Sequence, residues 1–122
     1  MKITQLGVVE TRFAELIWEN EPLSSTELVR ICERELTWKK PTTYTVLRKL
    51  CERGMFRNEN SIVTSCISPD EYHSLLCEQF VEQTFNGSLP SFFAAFTTRK
   101  QLSDEEVEQL QQMIDRHREE NQ

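Results

Sequence analysis

The chain has 122 residues, 14 Lys+Arg against 20 Asp+Glu and a formal net charge of −6, so it holds one small domain with at most an appendage, and its overall charge argues against a nucleic-acid partner. A hydrophobic content of 38% with three Gly and four Pro excludes a disordered chain, a collagen and a turn-rich all-β fold. No stretch approaches the roughly 18 apolar residues that span a bilayer, and the start Met-Lys-Ile-Thr-Gln lacks the apolar run of a signal peptide, so a cytoplasmic protein without membrane insertion is expected.

From Ile3 to Asn20, the residues Leu6, Val9, Phe13, Leu16 and Ile17 recur at helical spacing and predict a first helix. After Pro22, the run Ser24-Ser-Thr-Glu27 has the form of a capping box, in which hydroxyl and carboxylate each satisfy a backbone N–H at a helix start. The second helix extends to about Glu35 and places Leu28, Ile31 and Cys32 inward. Pro41 is tolerated in a first helical turn, so a third helix begins near Lys40 and stops at Gly54. Met55-Phe-Arg57, the polar turn Asn58 to Ser61 and the β-branched run Ile62 to Ile67 then read as two strands joined by a tight turn. Ser68-Pro-Asp-Glu71 opens a fourth helix carrying Tyr72, Leu75, Leu76 and Phe80 as far as Gly87. A short helix with Phe92, Phe93 and Phe96 follows Ser88, and Ser103-Asp-Glu-Glu106 caps a last helix that shows Val107, Leu110 and Ile114 on one face and frays from Arg116 to Gln122. The expected fold is mainly α with a small two- to three-stranded sheet: a winged helix-turn-helix DNA-binding domain over residues 1–69, then C-terminal dimerisation helices over 70–122.

Dividing the charge along that boundary changes its meaning. Residues 1–69 hold ten basic and nine acidic side chains, whereas 70–122 hold four basic and eleven acidic. Within 30–57 the excess is +5, and phosphate responds to the field within a Debye length of about 8–10 Å rather than to the net charge. On the third helix, Thr43, Val46, Leu47, Leu50 and Cys51 form an inward face and leave Thr42, Tyr44, Thr45, Arg48 and Lys49 outward. Hydroxyls, one aromatic ring and cations on an exposed helix face suit a major groove, with Arg for guanine and Thr or Tyr for phosphates and thymine methyls. Lys39, Lys40, Arg53 and Arg57 extend the candidate surface. Five of the seven Phe lie between 80 and 96, in a segment too short to enclose a core, so a partner chain is expected to cover Leu76, Phe80, Phe85, Leu89, Phe92, Phe93, Phe96, Val107, Leu110 and Ile114.

Three stretches carry a resemblance: Leu16-Ile-Trp-Glu-Asn-Glu-Pro-Leu23; Trp38-Lys-Lys-Pro-Thr-Thr-Tyr-Thr-Val-Leu-Arg-Lys-Leu50 with Arg53-Gly54; and Phe85-Asn-Gly-Ser-Leu89 with Leu102-Ser-Asp-Glu-Glu-Val-Glu-Gln-Leu110. In order and spacing, over nearly the whole chain, they resemble the penicillinase repressors, the BlaI/MecI/CopY family. The resemblance implies a homodimeric repressor that binds double-stranded operator DNA as an inverted repeat. Antibiotic-responsive members of that family are relieved by a membrane-bound sensor protease that cuts an Asn-Phe bond, so the resemblance makes Ala95-Phe96 a candidate cleavage position and such a protease a candidate partner, with the relieving signal itself left open. Two departures stand out. Lys39-Lys40-Pro41 replaces the family's Ser-Pro-Lys, and the wing keeps only Arg57 beside Asn58 and Asn60.

The four cysteines, Cys32, Cys51, Cys66 and Cys77, form no C-x-C or C-x-x-C pair, sit among apolar neighbours and read as structural thiols. No metal site and no cofactor is expected, and with His73 and His117 isolated no catalytic group is assigned. Two other readings use the same residues: a protein-interaction module with a degenerate winged helix, and a redox- or metal-responsive repressor acting through its cysteines.

Overall fold

The computed structural model describes residues 6–122. The first helix, α1 (Val8–Asn20), starts at Gly7, whose N–H is met by the Glu10 carboxylate at 3.4 Å, so the stretch expected from Ile3 begins later and residues 3–5 lie outside the described part. Val9, expected inward, is half exposed, while Phe13, Ala14, Leu16 and Ile17 are buried. A two-residue strand, β1 (Leu23–Ser24), leads into α2 (Ser25–Leu36), where the Ser24 hydroxyl accepts from the Glu27 N–H at 3.0 Å. Helix α3 (Lys40–Glu52) carries Pro41 in its first turn and ends before Gly54, which takes the left-handed φ of 78° that a glycine adopts without strain.

Strands β2 (Phe56–Glu59) and β3 (Ile62–Ser65) form a hairpin with Phe56 opposite Ser65 and Glu59 opposite Ile62. The turn between them has positive φ at both Asn60 (52°) and Ser61 (63°), the handedness that matches strand twist in a two-residue loop. β1 adds antiparallel to β3 with Leu23 opposite Val63, giving a three-stranded sheet in the order β1-β3-β2. Three helices and this sheet make the winged helix-turn-helix anticipated from the order of elements.

Helix α4 (Pro69–Phe85) opens on a formed capping box, Ser68 Oγ accepting from Glu71 N–H at 3.1 Å and Glu71 Oε1 from Ser68 N–H at 3.4 Å. Helix α5 (Leu89–Arg99) is capped by Ser88 and α6 (Asp104–Glu120) by Ser103. The last helix does not fray at Arg116 but continues to Glu120, with acids in its first turn and His117 and Arg118 in its last, the arrangement the helix dipole favours. At its start the Ser103 backbone N–H and hydroxyl hold the Glu106 carboxyl below its ordinary pKa.

Two compact units result, one ending at Gln79 and the other beginning at Phe80. The first has a closed core. Phe13, Ile17, Leu28, Leu50, Met55, Phe56 and Val63 are fully buried, and Tyr72, Leu75 and Leu76 of α4 pack on the same cluster. Burying one such side chain stabilises by roughly 1.5–3 kcal/mol, so the core dominates this unit's stability. Polar ties fix the hairpin upon it. Glu21 accepts from the Ser65 N–H at 3.0 Å and its hydroxyl at 2.8 Å, and the Trp18 indole N–H donates to the Ile67 carbonyl at 3.0 Å. In the second unit no residue is buried. Phe80, Phe85 and Phe92 meet edge to face with centroids 5.7–6.1 Å apart, and Phe96 adjoins Phe92 at 6.2 Å.

Replacing Glu21 by Ala strips Ser65 of both bonds at a half-buried position. We expect a loss of about 1–3 kcal/mol, read as a lower urea midpoint at unchanged slope. A midpoint equal to that of the parent would show that the hairpin docks without Glu21.

Candidate nucleic-acid interface

Helix α3 is amphipathic for a simple reason. Thr43, Leu47 and Leu50 fall on one stripe and are buried, with Val46 and Cys51 half-buried beside them, so the opposite stripe must face out. That stripe holds Thr42, Thr45, Arg48 and Lys49, all exposed, with Lys39 and Lys40 at its N-terminal end. Two lysines at a helix N-terminus oppose the dipole at a cost of about 0.3–1 kcal/mol each, so they weaken the helix they begin. An anion would reverse that sign.

Neighbouring charges separate the cationic residues into two sets. Arg53 lies 3.6 Å from Glu10, Arg57 3.4 Å from Glu59, Arg34 3.5 Å from Glu35, and Arg12 3.4 Å from Glu19. Among the described residues Lys39, Lys40, Arg48 and Lys49 have no carboxylate within ion-pair distance. Thus the structure brings Lys39, Lys40, Thr42, Thr45, Arg48 and Lys49 together as a free basic stripe, and sets Arg53 and Arg57 beside acids of their own. Such surface pairs hold by at most about 1 kcal/mol, weak enough for phosphate to displace.

Tyr44 departs from the outward position expected of it. It is half-buried, its hydroxyl donates to Ser25 Oγ at 3.2 Å, and the Lys40 ammonium stands 5.9 Å from its ring centroid. Ser25 in turn donates its backbone N–H to the Ser61 carbonyl at 2.8 Å in the wing turn. Tyr44 and Ser25 therefore connect α3, the start of α2 and the hairpin. Ser25, buried, was not a candidate from sequence, because nothing in a capping run marks its second residue for burial. The Thr45 hydroxyl donates to the Pro41 carbonyl at 2.9 Å, which leaves Thr45 its methyl and the acceptor lone pairs of its hydroxyl for other contacts.

The residues expected at a dimer contact are divided. Leu76 packs against the first unit's core, whereas Phe80, Phe85, Phe92 and Phe96 form the aromatic cluster of the second. Leu89, Phe93, Val107, Leu110 and Ile114 are exposed, and so is Met113, missed from sequence although it stands three residues from Leu110. Ala95 and Phe96 lie inside α5.

The cysteines are not uniformly structural. Cys32 is fully buried and burial pushes its pKa up to about 11, against the Thr43 hydroxyl, which lowers it; Cys51 is half-buried and also raised, first by burial. Cys66 and Cys77 are exposed, contrary to the apolar surroundings expected. Among the described residues no group of three or more His, Cys, Asp or Glu is placed to hold a metal ion, and no helix is long and apolar enough to cross a membrane.

The family model described as penicillinase repressor matches residues 6–116. The chain belongs to the penicillinase repressor family. Within curated proteins this family member is similar to the penicillinase repressor of Bacillus licheniformis, 26% identical over 121 residues, which are 96% of this chain and 94% of that protein. It is also similar to the methicillin resistance regulatory protein MecI of Staphylococcus aureus, 19% identical over 94% of this chain and 97% of that one. Among solved structures it matches Staphylococcus aureus MarR in complex with salicylate and kanamycin, with TM-score 0.43 and 15% identity over 93% of this chain and 72% of that one, too distant to bear on the site.

Because the fold raises the Cys32 pKa, the folded chain keeps a proton that the unfolded chain releases above the ordinary value of 9.0. Its contribution is complete below pH 9 and is lost as pH rises towards 11, by about 2–3 kcal/mol. Stability of the parent should fall more steeply over that window than that of Cys32→Ala. Parallel curves would refute the assignment.

Proposed function

We propose that this penicillinase repressor family member is a sequence-specific transcriptional repressor that binds double-stranded operator DNA as a homodimer, α3 of each copy entering the major groove of one half-site. The observation that carries this reading is the exposed stripe on α3, where hydroxyls and unpaired cations share one face while the helix is clamped from behind through Tyr44 and Ser25. Arg48 is assigned to a base edge, and Lys39, Lys40 and Lys49 to phosphates. Arg53 and Arg57 join by exchanging Glu10 and Glu59 for phosphate. The division of labour runs with the sequence: 1–69 reads DNA and 70–122 joins the copies.

Homodimerisation is supported by the second unit, where Phe93, Phe96, Val107 and Ile114 are each 44–55% exposed and nothing in 80–122 is buried. A dimer also raises affinity by holding two readers at half-site spacing. We assign relief of repression to α5. There Thr97 and Thr98 turn their hydroxyls back on the carbonyls of Phe93 and Ala94 at 2.9 Å, which weakens the helix around the Ala95–Phe96 bond and favours the local unwinding a sensor protease needs.

Fluorescence anisotropy on DNA from upstream of the protein's own gene tests the reading. Arg48→Ala should cost roughly 1–3 kcal/mol and relax one base preference, whereas Lys49→Ala should weaken all sequences alike and reduce the salt slope by about 1. Equal losses on all DNA for both variants would remove Arg48 from base reading, and absence of a salt-sensitive complex at micromolar protein would remove DNA binding altogether. Salt also separates the two halves. Raising it should weaken DNA binding yet tighten the dimer in sedimentation equilibrium, because 70–122 carries eleven acids against four bases and the copies repel. A dimer that loosens with salt would contradict an apolar contact.

A further inference from the structure

A pocket of about 290 Å³ is lined by residues of α1 and the start of α4: the rings of Trp18, Pro69, Tyr72 and His73, with Thr11 and the carboxylates Glu15 and Glu19. The polar ends of its two main rings are already engaged. The Trp18 indole N–H donates to the Ile67 carbonyl, so the indole offers only carbon surface to the space, and the Tyr72 hydroxyl is held by accepting from the Leu6 N–H at 3.1 Å. Trp18 and Tyr72 stand 5.9 Å apart at 45°, and the His73 ring adjoins Tyr72 at 5.8 Å.

The charge at this pocket is negative and incompletely answered. Glu19 lies 3.4 Å from Arg12, but the same guanidinium also reaches Glu35 at 3.8 Å, so one cation serves two carboxylates. Among the described residues Glu15 has no cationic partner within ion-pair distance. We propose that this pocket binds a small organic cation, an ammonium group carried on a compact apolar body, with the body against Trp18 and Pro69 and the charge between the indole face and the Glu15 and Glu19 carboxylates. Indole is the strongest of the aromatic partners for a cation, and carboxylates at the rim exclude anions by repulsion. The volume is at the lower limit of small-molecule sites and accommodates one ring with its ammonium group. The site does not depend on DNA binding.

The test is a titration of the full chain with benzyltrimethylammonium, followed by proton–nitrogen NMR of the two indole N–H groups, assigned with Trp38→Phe. The Trp18 signal should shift saturably with a dissociation constant of roughly 1–5 mM, and the Trp38 signal should stay in place. Neopentylbenzene, the neutral isostere, and benzoate should leave Trp18 unmoved. The double variant Glu15→Gln, Glu19→Gln, altered only at exposed positions, should bind at least about threefold more weakly. A linear, unsaturated response to tens of millimolar would overturn the site, and equal binding of the neutral isostere or an unweakened double variant would overturn its preference for a cation.

Discussion

The indole of Trp18 is where the pieces of the first unit meet. From α1 its N–H holds the Ile67 carbonyl at the exit of the sheet, while its ring lies 5.6 Å from Phe56 of β2 and 5.9 Å from Tyr72 of α4. Phe56 and Tyr72 are buried, and Tyr72 reaches back with its hydroxyl to the Leu6 N–H. One large side chain thus joins a helix near the N-terminus, the wing and the helix that leaves the unit. Together with Glu21 and β1 it holds a hairpin that alone would be marginal in water. With the wing referred to α1, and α3 tied to α2 and the wing through Tyr44 and Ser25, the stripe on α3 acquires a fixed frame.

Electrostatics then sorts what the frame presents. Most arginines near the stripe have been given acids of their own; of the cations left without them in the first unit's described residues, Arg30 lies on α2 and the other four lie on α3 and at its N-terminus. Lys39 and Lys40 are placed where they cost the isolated helix stability. That local conflict is one the proposed DNA contact would relieve, because a phosphate beside this helix end reverses the sign of the interaction.

Much of this was legible in the sequence because it rests on local rules. Capping residues at Ser24, Ser68, Ser88 and Ser103 and the glycines at 54 and 87 mark element ends, and the period of Thr43, Leu47 and Leu50 separates the two faces of α3. What escaped depends on contacts between segments distant in sequence. Glu21 with Ser65 and Tyr44 with Ser25 are pairings that no spacing encodes. Cys66 and Cys77 each have an apolar sequence neighbour, yet both are exposed, Cys66 in the bend just after β3 and Cys77 on the outer side of α4. Leu76 shares a helix with Phe80 but faces the first core, since α4 continues from one unit into the next.

The net charge of −6 finally has a structural cause as well as a location. Five of the eleven acids in 70–122 occupy first turns, Asp70 and Glu71 in α4 and Asp104, Glu105 and Glu106 in α6, where the positive end of the helix dipole favours them. The basic residues of α6 are correspondingly placed late, with Arg118 in its last turn. Acidity in this half therefore follows in part from starting two helices firmly, α4 on the edge of the first unit's core and α6 in a unit with no buried residue. On α3 the rule is broken in the opposite sense, with lysines at the start and no acid in the first turn. The same dipole rule explains one half of the molecule and is violated at one helix of the other, and that helix carries the free cationic stripe.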